Sequence, residues 1–204
     1  MATAPATYTL DFNEAEHVYR LNGQVVPSVT QILSQRRLYL GNEWWTEEAR
    51  ARGTAAHLAT QLYDEGDLDM GTLAPEIAPY LDAWVQFLAD SRFEVVMNEQ
   101  KLASLTHGFA GTLDRFGRID GKGVLVDIKT GQWQPAYALQ LAGYHYLLTE
   151  TGETPARYLC VSLRADGTYR TKELSLTEIY RAQGLFLAAL NLTKWIGAQH
   201  VSNA

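Results

Sequence analysis

GFAGTLDRFGRIDGKGVLVDIKTG, residues 108–131, holds two strand-like runs around a turn, and its two acids decide how the rest of the chain is read. The first run, Phe109 to Ile119, carries aromatic and β-branched residues in alternation, and the second, Val124 to Lys129, does the same. Between them Asp120-Gly121-Lys122-Gly123 offers Asp-Gly turn chemistry, because glycine accepts the positive φ that tight hairpins need. The two runs are therefore expected to be antiparallel neighbours. With Ile119 set opposite Val124, Asp114 lies across from Lys129, and Asp127 sits diagonally on the same face at about 7–8 Å. A slip of one residue would separate these groups onto opposite faces, and a three-residue turn without a bulge would produce such a slip.

Carboxylates are hard ligands of the kind Mg²⁺ and Mn²⁺ prefer, and Mg²⁺ is commonly held by one or two of them together with substrate phosphate. A lysine beside such an ion stabilises negative charge or orients water, which suits metal-assisted phosphodiester hydrolysis. Taken alone, Asp114, Asp127 and Lys129 suit a solvated hairpin with a weak ion pair equally well.

Four segments together resemble one family. GTLD at Gly111–Asp114, DIKTG at Asp127–Gly131, QLAGY at Gln140–Tyr144 and RGTAAH at Arg52–His57 are similar to motifs of the RecB-type branch of the PD-(D/E)XK nucleases. The resemblance spans roughly Arg50 to Tyr146, and PSVTQIL at Pro27–Leu33 resembles the start of several phage and bacterial members. It implies an α/β fold, a mixed central β-sheet flanked by helices with a restriction-endonuclease-like core. It also implies a metal-dependent deoxyribonuclease, an exonuclease of phage or bacterial DNA recombination, repair or processing.

On the same resemblance His57, Asp114, Asp127 and the backbone carbonyl of Ile128 hold one or two Mg²⁺ or Mn²⁺ ions, and Lys129 positions or deprotonates the attacking water. Gln140 and Tyr144 organise the site, and Glu99 is a second-sphere or additional ligand residue, though a solvated strand glutamate is the competing assignment. DNA, single-stranded or duplex with an end, is the implied partner, alongside recombination or replication proteins. A DNA-binding accessory module on a degenerate nuclease fold and a structure-selective endonuclease are the alternatives.

The 204 residues are most simply one domain, with core motifs about 50–146, N-terminal strands and a helix over 8–45, and C-terminal strands and a helix over 157–196. A formal charge of −6 argues against binding nucleic acid by bulk attraction, so any such contact must be local. The single cysteine, Cys160, reads as a buried strand residue and leaves no ligand set for an iron–sulfur cluster. Without a signal-like or membrane-spanning apolar run, a cytoplasmic protein is expected.

Met1 to Pro5 reads as a frayed terminus, followed by short strands at Tyr8–Phe12, His17–Leu21 and Val25-Val26, with Asn22-Gly23 as a hairpin turn and Ser28 capping a helix. His17 reads as a surface residue. A helix over Trp44–Tyr63 puts Gly53 and His57 one turn apart on one face. Arg36, Arg37, Arg50 and Arg52, interleaved with Tyr39, Trp44 and Trp45, suit phosphate contacts and base stacking, and suit a solvated amphipathic helix as well. Trp133 admits stacking on a base or core packing. Asp64 to Pro79 is acidic and turn-rich, a linker or lid. Further elements are a helix over Tyr80–Ala89, a strand over Phe93–Leu102, a helix over Ala136–Leu148 opened by Pro135, strands at Arg157–Leu163 and Thr168–Leu174, and a last helix to about Trp195.

Overall fold

The computed structural model describes residues 8–39 and 46–202. Met1 to Pro5, Trp44 and Trp45 lie outside the described residues. A small antiparallel sheet comes first, made by β1 (Leu10–Asn13), β2 (Val18–Leu21) and β3 (Gln24–Val26). The β2–β3 turn uses Asn22 and Gly23, both at positive φ, as the dipeptide requires. Helix α1 (Val29–Gln35) opens on a capping box in which Ser28 accepts from the Gln31 backbone and the Gln31 side chain returns to Ser28.

Two helices follow, α2 (Glu47–Glu65) and α3 (Ala78–Ser91). Then come β4 (Glu94–Ser104), β5 (Phe109–Ile119), β6 (Lys122–Lys129), α4 (Ala136–Thr149), β7 (Arg157–Leu163), β8 (Tyr169–Leu174) and α5 (Leu176–Ser202). The second sheet runs β4-β5-β6-β7-β8 and is mixed: β6 and β7 pair in parallel through the α4 crossover, and the other pairs are antiparallel. It is flanked by helices on both faces. Apolar residues of α1, α4 and α5 pack with Phe109, Leu113, Phe116, Leu125 and Tyr158 on one side. Trp84 and Phe87 of α3 and Ala56 of α2 pack with Val124, Val126, Ile128 and Val161 on the other. Among the described residues no helix is long and apolar enough to cross a membrane.

Two expectations change. The hairpin closes on a two-residue turn, Asp120 and Gly121, both at positive φ, so Ile119 faces Lys122 and Gly117, not Ile119, faces Val124. The paired ladder ends at Arg115 and Val126, which sets Asp114 against Asp127 rather than against Lys129. Because the offset is two residues, side-chain faces are preserved. The segment read as a linker from Asp64 also starts too early: α2 continues to Glu65 and ends on Gly66 in the left-handed conformation.

Candidate metal centre

β6 alternates strictly. Val124, Val126 and Ile128 point to the α2–α3 side, so Leu125, Asp127 and Lys129 share the opposite face. β5 does not alternate throughout: Leu113 and Phe116 enter the same apolar cluster although three residues apart, so the pleat slips at Asp114 and Arg115. There the hairpin splays, and the Asp114 carboxylate fills the gap. Its Oδ2 accepts the Ile128 backbone N–H at 2.6 Å.

α2 supplies the histidine. Gly53 faces Thr130 across open contact distance, and one turn later His57 meets the same end of β6. His57 Nε2 is 3.1 Å from the Ile128 carbonyl oxygen, while Nδ1 is 3.2 Å from Glu99 Oε1 and 3.9 Å from Asp114 Oδ1. Each ring nitrogen therefore faces an acceptor. Burial, the largest influence on the imidazole, pushes its pKa down, but the charges of Asp114 and Glu99 prevail and raise it above the ordinary value.

His57, Glu99 and Asp114 each offer a ligand atom within 4.8 Å of the others. Glu99 thus stands beside the other two as a donor rather than behind them, and it is not a freely solvated strand residue. Asp127 falls outside this triad. It is fully buried, and its Oδ1 meets no hydrogen-bond donor of the protein. Lys129 Nζ approaches Asp127 Oδ2 at 2.6 Å as an ion pair and Asp114 Oδ2 at 4.0 Å. Burial lifts the Asp127 carboxyl to about 7, with Asp114 adding to the rise and Lys129 opposing it. For Lys129 burial works downward, and the two acids more than reverse it, so the ammonium is held charged.

The donor set fits a hard divalent ion. It comprises one imidazole, three carboxylates and a backbone carbonyl, and includes a buried oxygen, Asp127 Oδ1, that no protein donor reaches.

The remaining candidates are distributed around this centre. Gln140 and Tyr144 are both buried on α4 and bonded to each other, Gln140 Nε2 donating to Tyr144 Oη at 2.9 Å. Tyr39 Oη donates to Gln140 Oε1 at 3.4 Å, joining α1's trailing segment to the pair. Tyr137 lies under the Lys129 ammonium, 5.0 Å from ring centroid to nitrogen. Tyr39, grouped in the sequence with the arginines for base stacking, is instead buried beside Gln140, and Tyr137 is singled out by no motif. Trp133 is half-buried and packs edge-on against Tyr137 at 5.8 Å, the core-packing arrangement. Arg36 closes α1, exposed Arg37 follows it at positive φ, and Arg50 and Arg52 sit on the first turns of α2. The Nε atoms of Arg36 and Arg52 are buried without a hydrogen bond. Cys160 is buried as expected, and burial pushes its thiol up to about 12.

No family model and no curated protein matches the sequence. Among solved structures, a “Putative exonuclease” from Eubacterium rectale is similar at 14% identity and TM-score 0.49, covering 74% of this chain and 71% of that one. An alkaline exonuclease from Laribacter hongkongensis is similar at 18% identity and TM-score 0.38, covering 78% and 100%. The same enzyme in complex with dAMP gives 19% identity and TM-score 0.37 over the same shares. The chemistry of the centre rests on this chain's own residues.

Proposed function

We propose that this chain is a divalent-metal-dependent deoxyribonuclease, an exonuclease of the RecB-type PD-(D/E)XK kind, folded as one domain. The observation that carries the proposal is the convergence of His57, Glu99 and Asp114 within 4.8 Å beside the buried Asp127–Lys129 pair. His57, Asp114, Asp127, Glu99 and the Ile128 carbonyl are the residues to hold one or two Mg²⁺ or Mn²⁺ ions. When bound, such an ion polarises a phosphoryl oxygen and makes a coordinated water more acidic.

The chain's own groups do the rest. Asp127 anchors the Lys129 ammonium, whose remaining donors orient the attacking water and meet the charge that develops on the phosphate. Gln140 and Tyr144 wall the lysine side. Arg36, Arg37, Arg50 and Arg52 contact the DNA backbone as local positive groups on an acidic protein, which fits phosphate recognition by guanidinium forks. DNA with an end is the substrate, and a phage or bacterial recombination or repair setting, with its replication or recombination proteins, follows from the motif resemblance.

The test uses end-labelled linear single-stranded and duplex DNA beside circular controls, with Mg²⁺, Mn²⁺ or EDTA, for wild type and Asp127→Ala. Metal-dependent loss of linear DNA, sparing of circles and an inactive variant are expected. Binding of DNA without cleavage under either metal would overturn the nuclease in favour of a binding module, and cleaved circles would make it an endonuclease.

A further inference from the structure

Directly after Asp114 the chain buries a guanidinium completely: Arg115 has no exposed surface. Such a group is tolerated only when its donors are met, and each nitrogen of Arg115 finds a partner. Nε donates to Asp64 Oδ2 at 2.6 Å, Nη2 to Thr60 Oγ1 at 3.1 Å, and Nη1 to both the Asp114 carbonyl at 2.7 Å and Glu99 Oε1 at 3.1 Å. Asp64 is itself fixed by the Trp84 indole N–H at 2.9 Å, and the guanidinium lies over that ring at 5.5 Å. Thr60 and Asp64 sit one and two turns beyond His57 on the same face of α2. One side chain therefore ties the helix of the histidine to both acid-bearing strands.

The group it reaches is strained. Glu99 has φ of +43° within β4, a left-handed conformation that a non-glycine residue keeps only when its surroundings over-determine it. Its Oε1 is shared between Arg115 and His57 Nδ1, so the oxygen nearest the imidazole is also the one the guanidinium holds.

We infer that Arg115, braced by Asp64 and Thr60, is a positioning residue that fixes the left-handed Glu99 as an oxygen donor in register with His57 and thereby sets metal affinity. The inference rests on the metal site proposed above. A guanidinium that only stapled the fold would affect metal binding whether or not Glu99 were a ligand. A positioning role makes its effect conditional on the Glu99 carboxylate.

The experiment is calorimetric titration of Mn²⁺ into wild type, Arg115→Lys, Glu99→Gln and the double variant, each shown to be folded by its melting transition. Lysine keeps the charge and loses the fork. Arg115→Lys is expected to weaken Mn²⁺ binding about 10–100-fold, the range for loss of an outer partner of a ligand. In the Glu99→Gln background the same change should matter by less than about threefold, since coupled groups are non-additive. Should Arg115→Lys not fold, Asp64→Asn replaces it in the same cycle, with about 3–10-fold weakening expected that again vanishes beside Glu99→Gln. Equal losses in both backgrounds, or no loss at all, overturn the positioning role alone. A wild type that binds no Mn²⁺ overturns the metal site and the role together.

Discussion

A β-carbon added at Gly117 has nowhere to go. It would sit 2.6 Å from Phe93 Cζ and 2.7 Å from Cε2, and closer still to the Glu94 carbonyl oxygen, where real β-carbons essentially never approach under 3.0 Å. The aromatic ring can tilt, but the carbonyl belongs to the β4 backbone, which already carries a register shift between Val95 and Met97 opposite this point. Accommodation must therefore displace the ladder. Overpacking of this kind costs about 2–3 kcal/mol. For a chain of this length each kcal/mol moves Tm by about 2–4 °C, so Gly117→Ala should melt about 4–12 °C below wild type. Gly184→Ala is the control: α5 leaves open space there, and alanine in a helix interior adds about 0.5–1 kcal/mol, a rise of about 1–4 °C. Thermal unfolding followed by circular dichroism on the metal-free proteins reads both. A Gly117→Ala variant melting within about 2 °C of wild type would refute the packing argument.

Lys129→Met should keep the fold and lose about 10²–10⁴ of the cleavage rate, because Asp127, buried and already raised to about 7, can protonate instead of standing as an unpaired charge; a gel assay and a melting curve on one preparation check both halves. Mn²⁺ affinity should rise with pH and level off above the raised pKa of His57. Its ordinary value is 6.5, and below the raised value protons compete with the ion at about tenfold per pH unit for each proton displaced. Titrations across about pH 5.5 to 8.5 should lose that component in His57→Asn; a flat profile in wild type contradicts a histidine ligand. Tyr144→Phe removes the acceptor of the buried Gln140 amide, an unsatisfied donor worth about 1–3 kcal/mol, so a Tm drop of about 2–12 °C is expected in the same melting assay.

The hairpin was legible because local rules govern it: β5 occupies Phe109–Ile119 as its alternation suggests, and an Asp-Gly pair forms the turn. Its register was not, since Asp120-Gly121 closes tighter than the Ile119–Val124 pairing assumed, and nothing in composition distinguishes the two. The patch of acids and lysine survived because an even offset keeps side chains on their faces. The Arg115 network escaped the sequence for a different reason. No motif marks Arg115, and Asp64 stands at the edge of an acidic segment, so only tertiary closure shows that each buries the other. Glu99 was ambiguous for the same cause, its strained φ being invisible in a strand of ordinary composition.

The parallel pairing of β6 with β7 has a consequence for the order in which the chain folds. Asp114 and Asp127 meet through a two-residue turn, a closure that takes on the order of microseconds for an isolated hairpin. The burial of Asp127 needs β7, whose parallel pairing with β6 spans the α4 crossover, and such longer-range contacts are expected to form later than a tight hairpin. Like charges are therefore brought together while water still screens them, at a small energetic penalty. Desolvation comes later, when Lys129 is in place to neutralise them. Reversing that order, as a circular permutation cutting the Asp120-Gly121 turn would do, makes the chain assemble two carboxylates inside a closing core, and refolding of such a permutant should be slower at alkaline than at acidic pH.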